Sequence, residues 1–183
     1  MSESRFRGPA PPVRRAEPIY PVLQITPAKC EDLVLLGDRI WTVWVHYLRS
    51  GPERRGVSYL CYGPGEGCLY CGKEARTWAG YMPCGCLVRR VLRTLCLGAE
   101  GMAALDRHVG PTRVYRGAAV RVQRATASPT SRLCWETSPL TPPLPTPDCP
   151  DLAATLRNLF GVARLPAYCY DEDVADSAEG GAP

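Results

Sequence analysis

The sequence has no run of eighteen apolar residues, so no segment is long enough to cross a membrane as a helix. Residues 1–18 are rich in proline and arginine and lack the apolar centre of a secretory signal. We therefore expect no membrane partner and a reducing, cytoplasmic environment. In such an environment clustered cysteines bind metals more often than they form disulfides.

Signatures of catalysis are also missing. The chain has only 2 histidines and shows neither a Ser-His-Asp set nor a paired-carboxylate motif. Its Gly-Pro-Gly-Glu-Gly loop at 63–67 is not followed by the Lys-Ser/Thr of a phosphate-binding loop. We predict that the protein is not an enzyme and takes no small-molecule substrate.

Acidic side chains are scarce outside the C-terminus. Residues 170–183 hold 5 acidic and no basic side chains, which leaves all 22 basic residues and 13 acidic ones in the rest of the chain. Twenty of the basic residues are arginine, whose planar guanidinium can donate two hydrogen bonds to a phosphate. The body of the chain is therefore predicted to bind a polyanion. The tail either recruits partner proteins or only increases solubility.

Five of the 10 cysteines fall between residues 56 and 86. Cys68 and Cys71 form a C-x2-C knuckle, and Cys61 precedes it across a glycine-rich loop, a pattern typical of zinc sites. A redox pair is disfavoured, because no βαβ pattern surrounds the knuckle. The cluster predicts one structural Zn²⁺ per chain, closed by four protein ligands.

The fourth ligand has more than one candidate. His46 gives His-x14-Cys-x6-Cys-x2-Cys and is our preferred choice. Cys84 or Cys86 would instead complete a four-cysteine ribbon, although both fall in a predicted strand, where small buried cysteines are common.

The order of predicted elements is that of a mainly β domain. Strands are predicted at 20–27 and 32–36, in a long alternating segment from Arg39 to Arg49, and in two segments joined at Gly85; a short helix, expected to stop at Gly110, and a hairpin follow. One short helix before the fourth strand of an antiparallel barrel is the order of an OB fold. The predicted organisation is a flexible basic arm at 1–18, an OB-like domain at 19–138 with an inserted zinc module at about 46–86, a Pro-rich linker at 139–150, a short helix at 151–165 and an acidic disordered tail at 166–183.

The ligand pattern, followed by Trp78-Ala79-Gly80-Tyr81-Met82 on a strand, resembles the core of T-even bacteriophage single-stranded DNA-binding proteins over roughly residues 33–137. The resemblance implies a zinc module inserted in an OB fold, and sequence-independent binding of single-stranded DNA in replication, recombination or repair. It further implies a nucleoid-associated protein of a bacterial or phage-infected cell, with replication or recombination proteins as partners of the tail residues Asp171, Glu172 and Asp173. RNA remains open as the ligand, and a zinc-ribbon RNA-binding or transcription adaptor is the alternative function.

Single-strand binding requires a positive groove and exposed aromatic rings on which bases stack. One face of the Arg39–Arg49 segment offers both, and further rings and guanidinium groups surround the predicted zinc module. Trp44 and Trp135 are predicted instead to lie in the core, in phase with Ile40 and Leu133. The predicted nucleic-acid contacts are Arg39, Trp41, Tyr47, Arg49, Arg54, Arg55, Tyr59, Tyr70, Arg76, Trp78, Tyr81, Arg89, Arg90, Arg116, Arg121 and Arg124.

Overall fold

The fold is taken from a computed structural model, which describes residues 20–50, 55–63, 67–110, 114–128, 131–142 and 145–169. The predicted basic arm, Arg54 and the three tail residues Asp171, Glu172 and Asp173 lie outside the described residues, as do the side chains of Arg49 and Arg55. The described elements are β1 (Cys30–Leu35), β2 (Trp41–Ser50), β3 (Arg55–Leu60), β4 (Arg76–Cys86), β5 (Val91–Gly98), α1 (Ala99–Val109), β6 (Ala119–Arg124), β7 (Leu133–Thr137), α2 (Leu152–Phe160) and a 3-10 turn (Ala167–Cys169).

All seven strands belong to one antiparallel sheet, as the mainly β prediction required. The long strand β4 is its centre. One edge of β4 pairs first with β2, where Trp41 faces Tyr81, and then with β1, where Leu33 faces Cys86. The other edge of β4 pairs with the whole length of β5, from Ala79 opposite Gly98 to Cys86 opposite Val91. Beyond β1 the sheet continues through β6 to β7, and beyond β2 it ends at β3.

The expected closed barrel does not form, because β5 and β7 are not paired in the described sheet. Helix α1 contacts β4, β5 and β7, and its Leu105 is fully buried. The fold is therefore an open sheet.

Two other sequence expectations are corrected. The predicted first strand at 20–27 makes only an isolated bridge between Val22 and Thr94 at the edge of β5. The break between β4 and β5 lies after Gly85, at 87–90, where Arg90 adopts a positive φ of 52° and its N–H donates to the Cys86 carbonyl.

The two faces of the sheet carry two separate hydrophobic cores. The main core packs α1 against the sheet and includes Leu33, Leu35, Met82, Leu95 and Leu105. The second core packs α2 and the segment that follows it against the opposite face of β2 and β4, and includes Val43, Val45, Tyr81, Leu156 and Leu165.

Helix α2 is defined by its ends as well as by its apolar face. The Asp151 side chain accepts a 3.0 Å hydrogen bond from the Ala154 N–H, and Gly161 ends the helix in the left-handed conformation at φ 65°. Between these caps Leu152, Leu156 and Ala154 are buried. The helix lies within the predicted 151–165 segment and closes one face of the sheet.

Candidate metal centre

Three adjoining elements bring His46, Cys61, Cys68 and Cys71 together at one end of the sheet. His46 lies on β2, and its register partner on β3 is Tyr59. Cys61 follows the end of β3, where its N–H donates to the Trp44 carbonyl at 2.8 Å. The sheet thus fixes two of the four side chains before the knuckle folds over them.

The knuckle supplies the other two side chains. After Cys68, the Tyr70 carbonyl accepts hydrogen bonds from the Lys73 and Glu74 N–H groups, each at 2.9 Å, which closes the turn that carries Cys71. Positive φ values occur at Gly63 (98°) and Gly67 (75°), at the two ends of the loop before the knuckle. Only glycine adopts this conformation freely, so these two residues allow the loop to fold back on itself.

The four donor atoms form a compact group in which all of them lie within 4.8 Å of one another. Cys68 Sγ is 3.4 Å and Cys71 Sγ is 3.5 Å from His46 Nε2, and Cys61 Sγ is 3.4 Å from Cys71 Sγ. His46 and Cys61 are fully buried, whereas Cys68 and Cys71 are half-buried. A group of three thiols and one imidazole at these distances is compatible with a metal site.

The pKa values of the closely spaced thiols of Cys68 and Cys71 are shifted in opposite directions. The pKa of Cys71 is raised to about 12 by burial and by the neighbouring thiols of Cys61 and Cys68. The pKa of Cys68 is lowered to about 6, because hydrogen bonds that include the backbone of Tyr70 outweigh the opposing effect of burial. Three thiolates cannot share this space without a compensating charge, and a metal ion supplies that charge while displacing their protons.

The surroundings of the His46 imidazole also favour a bound cation. Its Nδ1 is buried and has no hydrogen-bond partner among the residues that the structure describes, and its Nε2 faces the thiols of Cys68 and Cys71. A cation bound there would give the buried ring a strong partner.

The alternative ligands Cys84 and Cys86 lie elsewhere. Both belong to the main core, where they face Leu35 and Leu33 of β1 in the register. Burial raises the pKa of both thiols, most strongly at Cys84. The fourth member of the group is His46, and these two cysteines are packing residues.

The C-terminal segment is hydrogen-bonded to this centre. The Tyr168 hydroxyl donates to the Cys61 carbonyl at 2.6 Å and accepts from the Trp44 N–H at 3.3 Å. It thus bridges two backbone groups at the point where β2 and β3 part. Tyr62 donates to the Arg164 carbonyl at 3.1 Å in the same region.

The structure divides the predicted nucleic-acid contacts between the two faces of the sheet. Trp41 is half-buried against the second core and Tyr81 is 2% exposed, with the Phe160 ring edge-on to it at 5.8 Å. The middle of the predicted binding face of β2 is therefore a packing face, because Val43 and Val45 are buried with α2 in the second core. Tyr47 remains 49% exposed on that side, and Arg39 lies over the Trp41 ring at 5.3 Å.

Several of the predicted phosphate contacts have protein partners. Arg121 forms a bidentate ion pair with buried Asp32 at 2.9 and 3.0 Å, and Arg89 pairs with Glu31 at 2.8 Å. Arg124 donates to two backbone carbonyls at 2.7 and 2.8 Å, and Arg116 donates to one at 3.3 Å. These four guanidinium groups support the fold. Arg90 is exposed on the β4–β5 turn.

The remaining predicted contacts gather beside the candidate metal centre with Trp44, which the sequence had placed in the core. Trp44 stacks on Trp78 with ring centroids 3.9 Å apart, and the Arg76 guanidinium lies over its other face at 4.5 Å. Tyr59 and Tyr70 are 4.9 Å apart. Trp44 and His46 are two residues apart on β2 and therefore point to the same side of the sheet. This alternation could have predicted that Trp44 lies beside the candidate metal centre. The group Trp44, Tyr59, Tyr70, Arg76 and Trp78 is called the aromatic face below.

Comparisons with protein-family models, with curated proteins and with solved structures find no match to this chain. None of the helices in the described residues is long and apolar enough to cross a membrane.

Proposed function

We propose that this protein binds single-stranded nucleic acid without sequence preference, with a structural zinc ion holding the binding surface in place. The observation that carries the proposal is the stack of Arg76, Trp44 and Trp78 on the same sheet face as the three-cysteine, one-histidine group. Aromatic rings and a guanidinium group on one surface are the elements that single-strand binders combine.

Zinc suits the donor set better than the other common cations. With Zn–S bonds of about 2.3 Å and Zn–N bonds of about 2.0–2.1 Å, the corners of a tetrahedron lie about 3.8 Å apart for two sulfurs and about 3.5 Å for sulfur and nitrogen. The separations of 3.4 and 3.5 Å between His46 Nε2 and the Cys68 and Cys71 Sγ atoms match the second value, and the 3.4 Å between Cys61 Sγ and Cys71 Sγ is shorter than the first. Four protein donors leave no position open for a catalytic water, so the role proposed for the ion is structural.

The strand path supports an opened OB fold as the scaffold. The order β5–β4–β1–β6–β7, with α1 before β6, is the OB order when β1 and β2 are taken as one long strand along β4. On this interpretation the zinc module occupies the connection between the first two barrel strands. OB folds use that connection to contact oligonucleotides.

The available rings differ from those expected from the sequence alone. Trp44 has Arg76 on one face and Trp78 on the other, so it is a support for the stack. Trp78, Tyr59 and Tyr70 are half-buried or exposed and offer ring surface to a base. Each stacked base contributes about 1–3 kcal/mol.

The binding test is titration of a fluorescein-labelled oligo-dT by the full chain, followed by anisotropy. Trp78→Ala should weaken binding about tenfold or more, and Arg76→Ala should also lower the dependence on salt, because one phosphate contact is lost. The matched control is Tyr47→Ala, an exposed ring on the opposite face that should leave affinity unchanged. Tighter binding of duplex DNA or hairpin RNA at the same salt would overturn the single-strand proposal.

The metal test is independent of nucleic acid. Elemental analysis of the purified chain should give one zinc per chain, and both Cys71→Ala and His46→Ala should lose it with a lower melting temperature. Cys84→Ala is the control, because that thiol lies in the main core. A chain that keeps its zinc without His46 but loses it without Cys84 would refute the ligand set.

A further inference from the structure

Strand β3 forms an edge of the sheet that no segment of the described residues pairs with on its outer side. It pairs with β2 alone, and no other backbone hydrogen bond of Val57–Leu60 occurs among the described residues. By contrast, the outer edge of β5 is covered by the chain at 20–25, where the Leu23 N–H donates to the Thr94 carbonyl at 2.8 Å and the Thr94 N–H donates to the Pro21 carbonyl at 3.1 Å. Natural edges without cover usually carry charges or proline; β3 begins with Arg55, but neither feature occurs in Val57–Leu60.

The register defines which backbone groups of this edge face outward. The Cys61 N–H donates to the Trp44 carbonyl, and residues that exchange hydrogen bonds alternate along an antiparallel pair. Tyr59 and Val57 therefore direct their N–H and C=O groups toward β2. Ser58 and Leu60 direct theirs away from it, where an added strand would pair.

This edge forms the floor of a cleft of about 410 Å³. One wall is the knuckle, with Leu69 and Tyr70, and the other is the end of α2, with Leu159 and Phe160. All four consecutive residues Val57–Leu60 line it, so the cleft runs along the strand. Leu69 is 78% exposed at the rim, and Val57 is 46% exposed on the floor. We call this the β3 cleft.

The cleft discriminates among occupants by charge and shape. No charged side chain is found among its described lining residues, which disfavours a nucleic-acid backbone. A second copy is disfavoured because paired strands lie about 4.8 Å apart, and two recessed floors cannot approach that closely past their own walls. A single extended chain can enter, and the apolar walls on both sides suit apolar side chains on both of its faces.

We propose that the β3 cleft binds an extended, uncharged peptide segment of a partner protein, which adds to the sheet as a further strand beside β3. Its backbone pairs with Ser58 and Leu60, and its side chains alternate between the knuckle wall and the α2 wall. The cleft shares Tyr59 and Tyr70 with the aromatic face, whereas Trp44, Arg76 and Trp78 are not among its lining residues.

The test uses the zinc-loaded full chain, immobilised and exposed to a synthetic pool of end-capped octapeptides built from Val, Ile, Tyr and Thr. Retained peptides are identified by mass spectrometry and remeasured singly by anisotropy. Ser58→Pro removes the outward N–H while leaving the β2 ladder intact, and should weaken retained peptides about tenfold or more. Ser58→Ala keeps that N–H and should bind within about twofold of the wild type.

A second pair of variants keeps the test decisive if Ser58→Pro does not fold. Leu69→Asp puts a charge on the cleft rim and should abolish retention, whereas Val88→Asp, at a 69% exposed position on the β4–β5 turn, should not. Equal binding by wild type and both cleft variants, or no peptide retained by the wild type, would overturn the proposal. If the wild type dimerises and Ser58→Pro abolishes the dimer, the occupant is a second copy and the proposal is overturned. If oligo-dT protects the Leu60 amide from hydrogen exchange, the occupant is nucleic acid and the proposal is likewise overturned.

Discussion

Removing the hydroxyl of Tyr168 should destabilise the protein by about 1–3 kcal/mol. The hydroxyl donates to the Cys61 carbonyl at 2.6 Å and accepts from the Trp44 N–H at 3.3 Å. Each of these two bonds contributes about 0.5–1.5 kcal/mol net. Tyr168→Phe keeps the ring, which lies edge-on to Trp78 at 6.4 Å, so the loss measures the hydroxyl alone.

The assay is urea unfolding of the zinc-loaded chain, with thermal unfolding as a check. For a chain of this length about 1–3 kcal/mol corresponds to a fall in melting temperature of roughly 2–12 °C. Burial raises the pKa of Tyr168, so the hydroxyl stays a neutral donor and the difference should be constant between about pH 6 and pH 9.

Tyr62→Phe is the matched control, because the Tyr62 hydroxyl makes one solvent-exposed bond to the Arg164 carbonyl. It should cost less than about 0.5 kcal/mol, as surface substitutions usually do. Equal losses from the two substitutions would refute the claim that the Tyr168 hydroxyl bridges β2 to the segment that carries Cys61.

Three further outcomes follow from the packing. The hydrogen bond to Arg121 lowers the pKa of Asp32 against the opposing effect of burial. The ionised Asp32 side chain therefore stabilises the folded protein above the unfolded pKa of about 4. This stabilisation is lost as the pH falls through the lower pKa of the folded state. Asp32→Asn should therefore flatten the loss of stability between about pH 5 and pH 2 in urea titrations, and an unchanged slope would contradict this. Gly80→Ala should lower the free energy of unfolding, measured in urea, by about 1–3 kcal/mol, because a Cβ there would lie 2.7 Å from Ile40 Cγ2 and would also contact Met102 of α1. Gly98→Ala is the control and should not lower it, because a Cβ there would meet no atom within 4 Å. Chelation of the proposed zinc ion should let iodoacetamide alkylate Cys68, whose pKa is lowered to about 6, and leave buried Cys84 unmodified, as measured by mass spectrometry.

Local signals in the sequence were sufficient where one element determines the outcome. The Asp151 cap, the apolar spacing and the Gly161 stop define α2, and the structure has a helix between them. The C-x2-C knuckle with a preceding cysteine and a strand histidine likewise predicted the four clustered side chains. The residues that define α2 are close together in the chain, and so are Cys61, Cys68 and Cys71.

Sequence reasoning was wrong where distant segments compete for the same surface. The alternation of β2 correctly separated its two faces, but it could not show that α2, more than a hundred residues later, would cover Val43 and Val45. Charge counting also overlooked ion pairs such as Asp32–Arg121, whose partners are 89 residues apart. Barrel closure was also predicted wrongly, since β5 and β7 do not pair in the described sheet and α1 contacts both strands.

The covering of one face also decides where nucleic acid can bind. Since α2 buries Tyr81 and packs on Trp41, stacking on that face would require separation of the second core, in which Val43 and Leu156 are fully buried. Fully burying an aliphatic side chain is worth about 1.5–3 kcal/mol, so opening this core costs more than one or two stacked bases return. The aromatic face requires no such opening. A Trp78→Ala variant that binds oligo-dT as well as the wild type would therefore argue against stacking on Trp78 and leave Tyr59 and Tyr70 as the rings of this face to test.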